Sequence, residues 1–226
     1  MNVLLEHVLV CFALREEARP FEEWAGHRPH LRVLLTGMGA VKAHRAVQAA
    51  LSAVPPAVVL SCGFAGGLDP ALARGDVVFA ADPGFGWRDR LLAAGAKPAR
   101  FHCAERIAAT AAEKRQLRES TGADAVEMES AAIAAECRRR GVPCATVRVI
   151  SDAAGEDLPV DFNRFLGPDH RLALLRLLGA ALRQPGLLRA LLELRRTTRE
   201  VAQRLAAVLA AVTAADWPSA PPSPRS

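Results

Sequence analysis

The chain has 226 residues, of which 51% are hydrophobic and 23% are charged, and its formal net charge is +5. This length and apolar fraction are sufficient for one large α/β domain with a packed core, and they exclude a disordered or collagen-like chain. Aromatic residues make up only 5% of the chain, without a single tyrosine and without aromatic–basic clustering, which argues against nucleic-acid binding.

Up to about residue 151, the chain alternates predicted strands and helices. Strands are predicted at residues 7–14, 31–36, 57–61, 76–81 and 145–151, and helices at residues 15–24, 40–53 and 130–140. The run 57–61 is continuously apolar, as expected for a strand that is buried on both faces. Strands separated by helices or long crossovers predict an α/β fold with a central, mostly parallel mixed sheet flanked by helices.

From residue 163 onward the sequence becomes rich in leucine, alanine and arginine. Periodic apolar positions predict helices at 171–182 and 187–212, and the Pro/Ser-rich residues 216–226 are predicted as a disordered tail. The apolar positions of 187–212 form a stripe along one face of the predicted helix. Such a stripe more commonly packs on the sheet or on a partner subunit. The alternative is a surface that admits a lipid tail or makes peripheral contact with an anionic membrane.

The five cysteines form no CxxC pair and have no histidine at metal-ligand spacing. We therefore expect reduced, mostly buried thiols in a cytoplasmic protein, and no metal site. The apolar N-terminus contains Glu6 and His7 and lacks a basic start, so it is predicted as a first strand and not as a signal peptide. No uninterrupted apolar run approaches the length of a membrane span.

A glycine-rich segment, Ser-Cys-Gly-Phe-Ala-Gly-Gly-Leu at residues 61–68, follows the predicted strand 57–61. Glycine-rich turns after strands let a ligand approach the backbone, although any tight strand-to-loop junction also uses glycine. The segment is neither a Walker A motif nor a GxGxxG fingerprint, which argues against ATP and NAD chemistry.

Acidic residues stand at two later junctions. Glu127 and Glu129 flank Met128 at the start of a predicted helix, where they either favour the helix dipole or line a site, and the residues alone leave both open. Ser151 and Asp152 end the last predicted strand, at the edge where open α/β sheets bind ligands. Aspartate is also a common cap or turn residue.

A third acidic segment, Arg15-Glu16-Glu17-Ala18, follows the first predicted strand. Taken alone, it is typical of a solvated helix start. It gains interest only from its position after a parallel strand, because the carboxyl ends of such strands meet at one edge of the sheet.

Together these segments resemble the nucleoside phosphorylase and methylthioadenosine–S-adenosylhomocysteine nucleosidase superfamily. The resemblance rests on GFAGGLDPALARGDVV, VEMES and RVISD, within residues 8–152, and on the spacing from Glu129 to Asp152. The stretch GAALRQPGLLRALLELRRTTREVAQRL extends it to about residue 212 and is similar to the hopanoid-associated branch, thought to act on adenosylhopane. The resemblance implies one three-layer, nucleoside phosphorylase-like domain over residues 1–215 and a homodimer.

The same resemblance implies roles for individual residues. Asp152 corresponds to the general acid that protonates purine N7, and Glu129 to the acceptor for the ribose 2′- and 3′-hydroxyls. Met128 corresponds to the apolar floor under the sugar, and Glu127 to a group that orients neighbouring backbone or sugar groups. Glu17 matches the carboxylate that activates water.

The nucleophile side of the site is also implied by the resemblance. Arg148 matches an arginine near the nucleophile, and the glycine-segment backbone would line the base and the nucleophile. The remaining candidate binding residues are Gly63, Phe64, Ala65, Gly66 and Ser151. The base-stacking residue is left unassigned, since the only aromatics in the stretch where relatives place it are Phe85, Trp87 and Phe101.

Whether phosphate or water is the nucleophile stays open at this point. Phe64 stands where many relatives have a serine or a similar polar donor that helps to hold phosphate or water, and Glu17 would repel phosphate. The hopanoid-associated branch is nevertheless named for phosphorolysis. Candidate phosphate ligands are Arg15, Arg19, Lys42 and Arg45.

The resemblance therefore predicts cleavage of the N-glycosidic bond of an adenine nucleoside that carries a 5′ substituent, with adenosylhopane as the first candidate. No cofactor is expected, with phosphate as the only candidate co-substrate, because carboxylates and one general acid can stabilise a cationic sugar and a leaving purine. A plain 5′-methylthioadenosine/S-adenosylhomocysteine nucleosidase is the alternative within this class. An inactive nucleoside-binding protein is the alternative outside it.

Overall fold

A computed structural model describes residues 7–165, 167 and 185–214. The strands are β1 (Val8–Phe12), β2 (Leu31–Leu35), β3 (Val58–Gly67), β4 (Val77–Ala81), β5 (Lys97–Pro98), β6 (Phe101–Cys103), β7 (Ala125–Glu127) and β8 (Cys144–Asp152). The helices are α1 (Arg15–Ala25), α2 (Ala40–Ala53), α3 (Arg88–Ala93), α4 (Ala111–Thr121), α5 (Ser130–Arg139) and α6 (Pro185–Ala214), with a 3-10 turn at Phe162–Phe165. The predicted helix 171–182 and the predicted tail 216–226 lie outside the described residues.

One eight-stranded sheet organises the fold. Its main order is β2-β1-β3-β8-β4-β5, while β7 pairs with the far end of β3 and β6 pairs with β7. The strands β2, β1, β3 and β8 are parallel neighbours, whereas β4 is antiparallel to β8 and β7 is antiparallel to β3. The prediction of a mostly parallel mixed sheet is confirmed. The carboxyl ends of four parallel strands meet at one edge, where open α/β sheets bind ligands.

Helices cover both faces of the sheet, and β1 shows how the sequence directs them. Val8, Val10 and Phe12 belong to the large core cluster that includes residues of α1 and α6. Leu9 and Cys11 point to the opposite face and belong to the cluster that includes residues of α2 and α5. Since successive strand residues alternate between faces, an entirely apolar strand can bury both.

The long helix α6 divides into two halves with different surroundings. In its second half, Val201, Leu205, Leu209 and Val212 are buried in the large core cluster, which confirms packing on the fold for this half of the predicted apolar stripe. In its first half, Leu188 and Leu192 are 45% and 58% exposed. Among the described residues, no helix is both long and apolar enough to cross a membrane.

The cysteines match the expectation of reduced thiols. All five are free, and only Cys103 is less than fully buried. Burial raises the pKa of the Cys103 thiol to about 12, and the carboxylate of Glu127 adds to this effect. The thiol form of Cys103 therefore dominates at neutral pH.

Candidate active site

The glycine-rich segment runs through the candidate site. It forms the second part of a strand. The expectation of a turn is wrong, because β3 continues to Gly67 and stays paired with β8, with Gly63 opposite Arg148 and Gly66 opposite Asp152. The glycines make room for side chains from neighbouring elements. A Cβ on Gly63 would lie 2.9 Å from Glu17 Oε1, and one on Gly66 would lie 3.3 Å from Asp152 Oδ2.

The carboxylates of Glu17 and Asp152 thus lie against two glycines of the same strand that are three residues apart. At about 3.3 Å per residue, Gly63 and Gly66 are separated by about 10 Å along β3. We call the group Glu17, Glu127, Glu129 and Arg148 the acidic end of the site. The group Lys114, Ser151 and Asp152 is called the aspartate end.

Glu17, in the first turn of α1, is held by three backbone N–H groups. Ala13 N and Leu14 N donate to its Oε2 at 3.1 and 2.9 Å, and Phe64 N donates to its Oε1 at 2.9 Å. The two residues before it are exposed, as a solvated helix start predicts, whereas Glu17 is only 5% exposed. The side chain therefore turns back from the helix to the carboxyl ends of β1 and β3.

The environment of Glu17 makes it a carboxyl group that titrates near neutral pH. Burial raises its pKa to about 7; the nearby Glu129 charge adds to the rise, while the Phe64 and Leu14 N–H groups and Arg148 oppose it. A carboxylate with a pKa near the working pH is suited to general-base chemistry.

Substitution Gly63→Ala tests this packing. Gly63 has φ +149°, and the added Cβ must displace the Glu17 carboxylate, so we expect Gly63→Ala to lower kcat by about 10²-fold or more. Gly95→Ala is the matched control, because Gly95 has φ +86° with no atom within 4 Å of the added Cβ. Steady-state kinetics and thermal unfolding of both variants check this: both lose stability, and an equal loss of kcat in both would contradict the specific effect.

β7 brings Glu129 to the acidic end. Because β7 is antiparallel to β3, with Gly66 opposite Val126, the chain after Val126 runs back along β3 towards Gly63. Met128, which is buried, lies on this path between the two glutamates. The VEMES motif therefore places its carboxylates beside Glu17, although they are more than 100 residues apart in sequence.

Arg148 on β8 joins the acidic end. Its guanidinium donates to Ser61 O at 2.7 Å and to Glu127 Oε2 at 2.6 Å, and it lies 3.7 Å from Glu129 Oε2. Its side chain is 2% exposed, and within the described residues its Nε has no partner. A buried N–H without a partner is costly, so this donor is available to a ligand or to water.

Glu127 and Glu129 have different surroundings despite their spacing. Glu127 accepts from Glu129 N, Ser130 N and Ser130 Oγ as well as from Arg148. Although burial opposes it, the Arg148 charge lowers the pKa of Glu127 below its ordinary value. These contacts fit the orienting role that the resemblance implied.

One carboxylate oxygen of Glu129 can still accept a hydrogen bond. Its Oε1 accepts from Gly39 N at 2.9 Å, while the recorded partner of Oε2 is Arg148 at 3.7 Å. Burial raises the pKa of Glu129, and the Glu127 charge contributes to the rise, against Arg148 and the Gly39 N–H. A carboxylate oxygen in this position can accept from a hydroxyl group.

At the aspartate end, Asp152 has a partner for each oxygen. Lys114 Nζ lies 2.5 Å from Oδ2, and Ser151 Oγ donates to Oδ1 at 2.5 Å. Ser151 Oγ also lies 3.3 Å from Ala65 O. Lys114 belongs to α4 and was not among the predicted site residues.

Other predicted residues lie outside this arrangement or contribute only backbone. The Ala65 side chain packs in a core cluster with Val78 and Ile150. Phe85 and Trp87, two of the three aromatics available for base stacking, are buried in the large core cluster. Phe101, on β6, is partly buried.

The candidate phosphate ligands are on or near the surface. Arg15 and Arg45 are exposed. Arg19 pairs with Glu23 on α1 and its side chain is 76% exposed. Lys42 packs its stem near Gly37, where an added Cβ would lie 3.0 Å from its Cδ.

A depression of about 640 Å³ lies elsewhere, between the end of α1 and β2. Glu22, Arg28 and Leu31 are among its lining residues, and it contains none of the residues of the acidic or aspartate ends. Leu31 begins β2, so this depression is at the amino edge of the parallel strands. That edge is opposite the one where such sheets bind ligands.

Comparison with known proteins finds similar sequences. A family model described as "Phosphorylase superfamily" matches residues 21–99 and 87–183. A 5′-methylthioadenosine/S-adenosylhomocysteine nucleosidase of Actinobacillus succinogenes is 32% identical over 167 residues, covering 59% of this chain and 73% of that protein. An aminodeoxyfutalosine nucleosidase of Campylobacter jejuni is 46% identical over 55 residues, which cover 24% of each.

The fold also has solved counterparts. The structure of futalosine hydrolase of Helicobacter pylori superposes with a TM-score of 0.70 at 18% identity, covering 93% of this chain and 98% of that one. This similarity confirms the fold, including the predicted three-layer arrangement.

Proposed function

The chain belongs to the phosphorylase superfamily, and on that premise we propose that it hydrolyses the N-glycosidic bond of an adenine nucleoside with a 5′ substituent. One observation carries this proposal. Glu17 lies against Gly63 and Asp152 lies against Gly66 of the same strand, and Glu129 lies near Glu17. A bound nucleoside would place its base at the aspartate end and its sugar at the acidic end.

The chemistry follows from this placement. As the glycosidic bond breaks, positive charge develops on the ribose and negative charge on the purine. Glu129, accepting from the ribose hydroxyls, stabilises the first charge, and Asp152, donating a proton to N7, neutralises the second. Glu17 takes a proton from the attacking water, and the free Nε of Arg148 is a donor for that water.

The surroundings of Glu17 favour water over phosphate. A phosphate dianion would meet the carboxylates of Glu17 and Glu129 together. The Phe64 N–H, which could otherwise bind an anion, already donates to Glu17. The compared proteins are named as nucleosidases and a hydrolase, which supports the same preference.

The test is an assay of free adenine and of the sugar product by mass spectrometry, with 5′-methylthioadenosine as substrate. We expect equal rates with and without phosphate, release of the free pentose, and no loss of rate in EDTA, since we also propose that no cofactor is needed. A rate that requires phosphate, with a pentose 1-phosphate product, would reverse the proposed choice of nucleophile.

The 5′ group is tested separately, with a small thioether and a lipid-linked adenine nucleoside assayed side by side. A preference for the lipid-linked substrate would favour the hopanoid-associated branch, and a preference for the thioether the plain nucleosidase. The homodimer, the peripheral membrane contact and the cytoplasmic location stay predictions.

A further inference from the structure

Lys114 is a fully buried lysine whose donors are all used at one point of the fold. Its Nζ lies 2.5 Å from Asp152 Oδ2 and donates to Ala153 O at 2.8 Å and to Glu156 O at 2.7 Å. A lysine ammonium has three donors and no acceptor, so these partners satisfy it completely. All three belong to the segment 152–156, which begins at the last residue of β8.

We propose that Lys114 is the positioning residue of the aspartate end: it fixes the Asp152 carboxyl group and the turn after β8 in the orientation in which the carboxylic acid gives its proton to the leaving base. This inference rests on the proposed function. Lys114 acts through Asp152 and is not proposed to contact the substrate.

The relative burial of the two side chains supports this role. The Lys114 side chain is 0% exposed and that of Asp152 is 10% exposed, so the ammonium holds the carboxylate from the interior. Ser151 binds the other oxygen, Oδ1. These two contacts hold both oxygens of the carboxyl group, and each oxygen keeps a second position for a hydrogen bond with the base.

The charge of Lys114 explains why a lysine stands there. A buried carboxylate without a partner is strongly disfavoured, and so is a buried ammonium. When Asp152 gives its proton to N7, a carboxylate remains in a buried site. The Lys114 ammonium pairs with this carboxylate, while its other two donors bind backbone carbonyls.

The helix that carries Lys114 is itself fixed to the same segment. Ala111 N, in the first turn of α4, donates to Asp157 Oδ1 at 2.7 Å. Leu158 N donates to Ala109 O at 2.8 Å. Thr110 and Glu113 form a capping box that fixes the start of α4. Lys114 is therefore a short, rigid link from this helix to Asp152.

The first test needs no activity. We expect Lys114→Met to increase amide hydrogen exchange in residues 152–158 by about 10-fold or more, as the hydrogen bonds of this segment open more often. Arg118→Met is the matched control, because Arg118 is a cation one turn further along α4 that pairs with Asp69 and Asp124 instead. Unchanged exchange in 152–158, or the same increase in the control, would overturn the proposal.

The second test is kinetic. We expect Lys114→Met to lower kcat by about 10²-fold with KM changed less than about 3-fold, because a misplaced general acid slows the chemical step more than substrate binding. A purely structural lysine would lower the folded fraction, so rates are given per folded molecule, measured by circular dichroism. If Lys114→Met does not fold, Lys114→Gln, which keeps two amide donors, replaces it, with the same kcat loss expected.

The two tests separate the two proposals. If the wild-type protein releases no adenine but exchange in 152–158 still depends on Lys114, the proposed function fails, while the finding that Lys114 fixes this segment stands. If the wild type is active and Lys114→Met keeps its kcat, the positioning role fails and the function stands.

Discussion

Asp152→Asn is expected to lower kcat by about 10²- to 10⁴-fold while adenine binds almost as well as to the wild type. The amide has the shape of the carboxyl group but cannot transfer a proton to the leaving base, and a positioned general acid contributes a factor of this size. The substitution also leaves the Lys114 ammonium without its charge partner, so we expect a lower stability as well. Steady-state kinetics and calorimetric titration with adenine measure the two effects.

Asp69→Asn is the control for this variant. Asp69 is also an ion-paired aspartate, bound to Arg118 at 2.7 Å, but it lies outside the acidic and aspartate ends. We expect its kcat to stay within about 2-fold of the wild type. If Asp152→Asn also kept near-wild-type turnover, the general acid would be another group.

Glu17→Gln is expected to remove the general base and lower kcat by about 10²- to 10⁴-fold. In the wild type, kcat/KM should rise with pH through about 7, where Glu17 ionises, and the variant should lose this limb. Glu23→Gln, on the same helix and in an exposed pair with Arg19, is the control and should keep both rate and pH profile.

Glu17→Gln should also change how the free energy of unfolding depends on pH. Because folding raises the pKa of Glu17 from 4.5 to about 7, the folded state binds more protons than the unfolded state between these values, and stability falls as pH rises. From pH 5 to pH 8 the free energy of unfolding of the wild type should fall relative to Glu17→Gln by about 2–3 kcal/mol. Urea unfolding at both pH values measures the difference, and a constant difference would show that Glu17 is not perturbed.

The strands and the edge of the sheet could be predicted because their signals are local. Continuous apolar runs such as residues 57–61 identify buried strands, and parallel strands bring their carboxyl ends to one edge whatever their order. Asp152 and Glu17 could be singled out for this reason. Glu17 could not be separated from its exposed neighbours Arg15 and Glu16, because the turn of its side chain depends on Phe64 from another strand.

The glycine segment was assigned to a turn because glycine is common in turns. Its extended conformation depends on β7 and β8, which pair with it from distant parts of the sequence. Only the packed structure shows that Gly63 and Gly66 are small because Glu17 and Asp152 occupy the space beside them.

Lys114 could not be found by sequence reasoning. It lies in the polar helix AAEKRQLREST, in which a lysine is usually solvated, and its partner is 38 residues away at Asp152. Only its buried position distinguishes it from Arg115 and Arg118 of the same helix.

The most direct measurement is a crystal structure of the Asp152→Asn variant with 5′-methylthioadenosine bound. It should show purine N7 within hydrogen-bond distance of the side chain at position 152, the ribose hydroxyls on Glu129, and a water between Glu17 and the anomeric carbon. A nucleoside bound with its base or its sugar away from these groups, or at the depression beside Arg28, would contradict this account of the site.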